Sequence, residues 1–133
     1  MPERLLIDTN IAIYLAKEHR NLQPYRPILE GNILALGFVN AAELLLTARR
    51  ASNPADTLAY WRERLPHYIV LFPDLEACAI WASIAAECYA RGRPRQDNDL
   101  WTAALALRYQ LPLVTHNRKH FEDIGGLTLI SHG

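Results

Sequence analysis

Short apolar runs alternate with longer helix-forming stretches along the whole chain, which predicts an α/β protein: a mostly parallel sheet with helices on both faces. Three observations carry that reading. The runs at 4–7, 33–39, 68–72, 111–115 and 127–130 are short and rich in Leu, Ile and Val, as buried strands require. Helix-forming segments separate them, several opening on Asp or Asn. With 133 residues, half of them hydrophobic, and no internal repeat, low-complexity tract or linker, the chain predicts a single domain over residues 1–133.

In order, Arg4 to Ile7 is a strand that ends at Asp8-Thr9-Asn10, after which Ile11, Ile13, Tyr14 and Leu15 begin a helix. Ile33 to Val39, containing Gly37, reads as a second strand, followed by Asn40 and a helix over Ala41 to Arg50. Asn53-Pro54 can cap a third helix running to Arg64, and Pro66 stops it before the β-rich stretch Tyr68 to Phe72. Asp74 opens a long alanine-rich helix to Tyr89. A loop at 91–96 leads through Asp97-Asn98-Asp99 into a helix over Leu100 to Tyr109. Leu111 to Thr115 is a strand, His116 to Phe121 a polar turn or short helix, and Leu127 to Ile130 a last strand.

Composition excludes several classes. Fourteen basic residues balance fourteen acidic ones, so the chain is neither a polybasic arm nor an acidic tail. All the cations except Lys17 and Lys119 are arginine, the side chain suited to forked contacts with carboxylate and phosphate. Cys78 and Cys88 fall on one predicted helix, ten residues or roughly 15 Å apart, too far for a disulfide. A reducing cytoplasm is the expected setting. Met1-Pro2-Glu3-Arg4 carries no signal-peptide apolar region, and no apolar stretch approaches the roughly 20 residues of a membrane helix; a soluble intracellular protein is expected.

In open α/β sheets, ligands gather beyond the carboxyl ends of the strands. Asp8 follows the first strand, Glu43 lies just past the second, Asp99 opens the helix before the fourth, and Asn117 comes two residues after Thr115. Carboxylates brought together raise one another's pKa, so such a cluster persists with a cation among them. Oxygen ligands select Mg²⁺ or Mn²⁺ over zinc, an ion that activates water against a phosphodiester.

Each residue also has a structural reading. Asp8 can cap the helix that follows it. Asn40-Ala41-Ala42-Glu43 has capping-box spacing, which would turn Glu43 back toward the Asn40 backbone. Asp97, Asn98 and Asp99 are all possible caps, and Asn117 can be a turn residue. Glu76, Ile80, Trp81, Ile84, Glu87 and Cys88 follow helical spacing, and their apolar members read as core. His116 and His120 stand four apart but lack the further ligands a zinc site needs.

At these residues the chain resembles PIN-domain proteins, and more narrowly the VapC-type ribonuclease toxins of prokaryotic toxin–antitoxin modules. The resemblance rests on Leu6-Ile7-Asp8-Thr9-Asn10, on Ala42-Glu43-Leu44, on Asn98-Asp99-Leu100-Trp101-Thr102-Ala103-Ala104, and on Leu113-Val114-Thr115-His116-Asn117 followed by Phe121, in that order over nearly the whole length. It implies a three-layer α/β/α sandwich and Mg²⁺- or Mn²⁺-dependent RNA cleavage, with Asp8, Glu43 and Asp99 at the three acidic positions. Asn117 falls on a fourth position that is often Asp, and Thr115 on the hydroxyl residue before it. An amide there adds no charge, so a second metal would be held less tightly. The resemblance also implies a homodimer and a small antitoxin that occupies the acidic site.

The expected function is therefore a cytoplasmic, metal-dependent endoribonuclease toxin in which Asp8, Glu43 and Asp99 hold the ion and Asn117 completes the site. Thr9, Thr115 and Asp97 are accessory candidates. Arg91, Arg93 and Arg95 before Asp99, with Arg118 and Lys119 after Asn117, either grip RNA phosphates or pair with Glu87, Glu122 and Asp123. The rival is a nuclease-dead PIN-like module that binds RNA or protein. An aspartyl phosphatase would want Asp two residues after Asp8, where Asn10 stands. Leu44, Leu45 and Leu46 point about 100° apart on one helix, so one of them should face another surface.

Overall fold

The computed structural model describes all residues, Met1–Gly133. Five parallel strands, β1 (Arg4–Ile7), β2 (Ile33–Gly37), β3 (Ile69–Leu71), β4 (Leu113–Val114) and β5 (Leu129–Ile130), form one sheet in the order β3-β2-β1-β4-β5. The central strand explains its own apolar run. Leu5, Leu6 and Ile7 are all fully buried, because a strand with helices on both faces has no solvent side.

Register keeps the two faces apart. Leu6 lies level with Ala35 and Leu113, and all three pack into one core; Leu5, Ile7, Leu36 and Val114 point into the other. The first core is roofed by α5 (Leu75–Ala90) and α6 (Asp97–Tyr109). The second is roofed by α1 (Thr9–Lys17), α2 (Arg26–Leu29), α3 (Phe38–Arg49) and α4 (Pro54–Arg64). The result is a three-layer α/β/α sandwich. From β1 the chain runs outward to β2 and β3, then returns to place β4 and β5 on β1's other side. The β1/β4 gap is therefore the topological switch point, where a crevice opens at the carboxyl ends.

Several elements differ from their sequence expectations. β2 ends at Gly37, and α3 begins at Phe38 rather than Ala41. Phe38 and Val39 are apolar and at least half-buried, so periodicity could not divide strand from helix. Helix α6 starts at Asp97 with Gln96 in the capping position. Asn53 precedes α4, but its side chain donates to Asp56 Oδ2 (2.8 Å) instead of accepting from the helix backbone. Residues between α1 and β2, which carry no clear period, form a 3-10 helix (Arg20–Tyr25) and α2. Of the three leucines on α3, Leu44 is buried, Leu45 half-buried and Leu46 exposed, as their angular spread requires. Cys78 and Cys88 are both free thiols on α5, and no helix is long and apolar enough to cross a membrane.

Asp74 joins the two helices of the first layer. Its carboxylate accepts from Ala77 N (2.8 Å), capping α5, and takes a forked pair from Arg108 on α6 (2.7 and 3.0 Å). The Arg108 guanidinium, with the Ala77 amide, lowers its pKa from 3.8 to about 2. A depressed carboxylate contributes stability above its unfolded value and loses it as pH falls through the folded one. The melting temperature should therefore drop between pH 4 and pH 2, and Asp74→Asn, which can still cap, should flatten that part of the curve. An unchanged slope in the variant would show that other groups set the acid limb.

Candidate active site

Asp8 ends β1 at the switch point and is 7% exposed. Its carboxylate is the centre of a hydrogen-bonded knot. Oδ1 accepts from Thr9 N (2.9 Å) and Asn40 Nδ2 (3.3 Å), while Oδ2 accepts from the Thr115 hydroxyl (2.7 Å) and, weakly, Asn10 Nδ2 (3.4 Å). The capping reading of Asp8 holds, since its side chain accepts from Thr9 N at the start of α1. Burial raises its pKa above the ordinary carboxylate value; the Thr115 and Thr9 hydrogen bonds oppose the rise, and the charges of Asp99 and Glu43 add to it.

Glu43, one turn into α3, is half-buried, and its Oε1 accepts from the Thr9 hydroxyl (2.8 Å). The capping-box reading is overturned. Because α3 begins at Phe38, Asn40 is its third residue, and Asn40 itself reaches back to accept from Gly37 N (2.9 Å). Glu43 is thereby released toward Thr9 and Asp8. A Cβ on Gly37 would meet Asn40 Oδ1 at 2.9 Å and Leu105 Cδ1 at 3.0 Å, so a larger residue there would have to displace the Asn40 side chain.

Asp99 lies in the first turn of α6 with its side chain 20% exposed, and Oδ2 sits 3.1 Å from His120 Nδ1. Burial raises its pKa; His120 pulls it down and Glu43 pushes it up. Asp97, two residues earlier, is exposed and caps nothing, because it is already inside the helix. Asn117 stands exposed at the rim. Its backbone N–H, not its amide, is tied inward, to Thr115 Oγ1 (3.1 Å).

Asn40, Thr102 and His120 were not legible as site residues. Asn40 is fully buried and links three elements, donating to Asp8, to Thr9 Oγ1 (3.1 Å) and to Thr102 Oγ1 (3.4 Å) on α6. A polar residue inside the apolar stretch 33–46 was the signal, and capping-box spacing disguised it. His116 and His120 turn to different partners, Tyr25 and Asp99 respectively, and form no zinc pair.

The cations at the rim are mostly paired. Arg95 is forked onto Asp123 and the His120 carbonyl, Arg93 lies 3.6 Å from Asp123, and Arg91 contacts Glu87 (3.5 Å) and the Asp123 carbonyl (2.8 Å). Arg118 donates to the Ser131 carbonyl (2.6 Å). With Lys119 and His120, Arg93 and Arg95 line a polar groove of about 230 Å³ that opens beside Asp99.

As placed, no three His, Cys, Asp or Glu side chains form a ready-made metal cluster; Glu43 is bonded by the Thr9 hydroxyl and Asp99 lies against His120. The donor set nevertheless suits a hard divalent ion. Glu43 Oε2 and Asp99 Oδ1 have no hydrogen-bond partner, and two of the three carboxylates have raised pKa values that a cation would reverse.

Comparison with known proteins gives a consistent result. The PIN domain model matches residues 5–127. The chain is 32% identical over 124 residues to ribonuclease VapC1 of Haemophilus influenzae, covering 92% of each. It is 30% identical over 124 residues to the tRNA(fMet)-specific endonuclease VapC of Shigella flexneri, covering 93% and 94%. Among solved structures it resembles VapBC-1 from nontypeable Haemophilus influenzae, with a TM-score of 0.82 at 31% identity over 96% of this chain and 97% of that one. DNA-bound VapBC from Salmonella typhimurium, at 23% identity, shares the fold with a TM-score of 0.83 over 98% of both chains.

Proposed function

The chain belongs to the PIN-domain family, in its VapC branch, and on that premise we propose that it is the endoribonuclease toxin of a toxin–antitoxin pair. One observation carries the reading: a buried Asp8, held by Thr115 and Asn40 at the switch point, with carboxylates from α3 and α6 close enough to perturb it. A nuclease-dead module would have no need to keep three mutually repelling acids together.

Asp8, Glu43 and Asp99 would hold a Mg²⁺ or Mn²⁺ ion, which when bound supplies an activated water and neutralises charge developing on a phosphodiester. The chain's own residues set that geometry. Thr115 and Asn40 fix both Asp8 oxygens, Thr9 orients Glu43, and His120 restrains Asp99 until the site is filled. Asn117, exposed at the rim beyond Thr115, would orient a water or a phosphate oxygen. Its neutral amide favours a single tightly held ion. Lys119 and the outer faces of Arg91, Arg93 and Arg118 would meet RNA phosphates, whereas Arg95, 11% exposed and fixed on Asp123, shapes the groove. Asp97 takes no part.

The partners follow from surface chemistry. Leu46, Phe72 and Leu75 are 47%, 64% and 88% exposed, apolar area that a second copy of the chain would cover. A separate groove of about 530 Å³ beside Leu15, Trp61 and Tyr68 suits an apolar segment of a small antitoxin. The free thiols fit a reducing cytoplasm.

The test is metal removal. Purified protein should cleave single-stranded or looped RNA in Mg²⁺ or Mn²⁺, lose the activity in excess EDTA, and regain it when the ion is restored. Undiminished cleavage in EDTA sinks the role given to the three acids.

A further inference from the structure

On the α1 side of the crevice lies an aromatic cluster that the cleavage site does not use. Tyr14 and His19 stack with centroids 4.8 Å apart and planes 21° from parallel. His116 meets Tyr14 edge-on at 5.6 Å and Tyr25 at 5.7 Å. Tyr25 is buried, while Tyr14, His19 and His116 are each only half-buried.

Hydrogen bonds fix these rings. His19 Nδ1 accepts from Asn21 N (3.0 Å), which leaves the ring proton on Nε2. His116 Nδ1 is 2.7 Å from the Tyr25 hydroxyl, and that hydroxyl is anchored by His132 N (2.9 Å). His19 and His116 are therefore oriented before anything binds, and Tyr14 is placed by its stack on His19 and a weak bond from Asn21 Nδ2 (3.4 Å), so ordering the rings costs little on association.

The cluster adjoins the acidic centre. His116 stands between Thr115 and Asn117, and its backbone N–H donates to Asn10 Oδ1 (3.1 Å), the same side chain whose Nδ2 faces Asp8. Tyr25 contacts the carbonyl of Thr115, whose hydroxyl holds Asp8. The arginine-lined groove lies on the opposite side, beside Asp99 on α6. Asp8, at the end of the central strand, separates a cationic flank from an aromatic one.

We propose that Tyr14, His19 and His116 form a stacking subsite for one unpaired nucleobase next to the scissile phosphodiester. The chemistry selects that ligand. The π faces of the three rings suit a base, and the imidazole N–H groups of His19 and His116, with the Tyr14 hydroxyl, suit a base edge. An RNA strand crossing the crevice would place its backbone toward the arginines and a splayed base on the rings. This subsite rests on the ribonuclease reading above and adds where the substrate base is held.

The experiment uses the full chain, a short labelled single-stranded RNA, and a series in which each nucleotide in turn is made abasic. Binding is measured in EDTA by fluorescence anisotropy, and cleavage in Mg²⁺ by initial rates. Tyr14→Leu removes the ring and keeps apolar volume, Tyr14→Phe restores the ring, and His19→Asn keeps an acceptor for Asn21 N while deleting the imidazole. Wild type should bind one abasic RNA about 5- to 100-fold more weakly than the intact strand, the range of a single base–aromatic stack. That penalty should vanish in Tyr14→Leu and shrink in His19→Asn, both with wild-type melting temperature, and it should return in Tyr14→Phe. Tyr14→Leu should raise KM with kcat nearly unchanged.

A flat abasic scan in wild type, or the same penalty in Tyr14→Leu as in wild type, overturns the subsite. Base-dependent binding without metal-dependent cleavage supports the subsite and removes the ribonuclease reading. Cleavage with an unaltered KM in Tyr14→Leu does the reverse. Neither binding nor cleavage by wild type overturns both.

Discussion

Asp99→Asn should abolish RNA cleavage, by at least about 100-fold, and leave the melting temperature unchanged or higher. That loss exceeds what supporting residues around a metal usually cost. The stability side follows from the sign of the pKa shift. Burial, with Glu43 adding, raises the Asp99 pKa above the ordinary value despite His120, so the fold disfavours the charged form present at neutral pH. Replacing it with a neutral amide of the same shape relieves that cost while removing a charge the ion needs. Asp97→Asn is the control. Asp97 is exposed and makes no capping bond, so its loss removes only a favourable charge from the first turn of α6 and leaves cleavage nearly intact. Thermal unfolding and initial cleavage rates on the same two preparations decide the matter. Equal loss of activity in both variants would move Asp97 into the site, and the reverse pattern would replace Asp99 with it.

Much of the fold was legible because a parallel sheet covered on both faces writes itself as short, uninterrupted apolar runs between helices. Leu5-Leu6-Ile7 and Leu113-Val114 are read that way without ambiguity. The boundary at Gly37 was not. Phe38 and Val39 satisfy a buried strand and a buried helix start equally, and only the Gly37 N–H, taken by Asn40, decides between them. That single displacement changed the meaning of two site residues. Asn40 moved from a cap outside the helix to a buried bridge between Asp8, Thr9 and Thr102, and Glu43 lost its capping partner. His120 was hidden for a different reason. Its contact with Asp99 spans two separate elements, and the i, i+4 spacing from His116, which lacks the further ligands of a zinc site, carries no signal of that partner. For the arginines of the 91–95 loop the sequence offered both RNA phosphates and the acids Glu87, Glu122 and Asp123 as partners, and folding pairs Arg93 and Arg95 with Asp123 and Arg91 with Glu87.

The displaced helix start makes Glu43→Gln the second decisive substitution, expected to lower cleavage by more than about 100-fold with melting temperature nearly unchanged. Glu43 Oε1 accepts from the Thr9 hydroxyl at 2.8 Å, a bond that a glutamine oxygen can also accept, so the local geometry survives. What the amide cannot supply is negative charge toward Asp8 and Asp99, both of which register Glu43 electrostatically. Removing that charge should ease the proton affinity of both aspartates and weaken the hold on a divalent ion, so half-maximal cleavage should require more Mg²⁺. Thr9→Val separates orientation from charge. It deletes the hydroxyl that steers Glu43 but keeps the carboxylate, and should cost about 10- to 100-fold, less than Glu43→Gln, with partial recovery at high Mg²⁺. A Glu43→Gln protein that cleaves at the wild-type rate and Mg²⁺ dependence would confine Glu43 to a structural role beside Thr9 and leave the ion to Asp8 and Asp99.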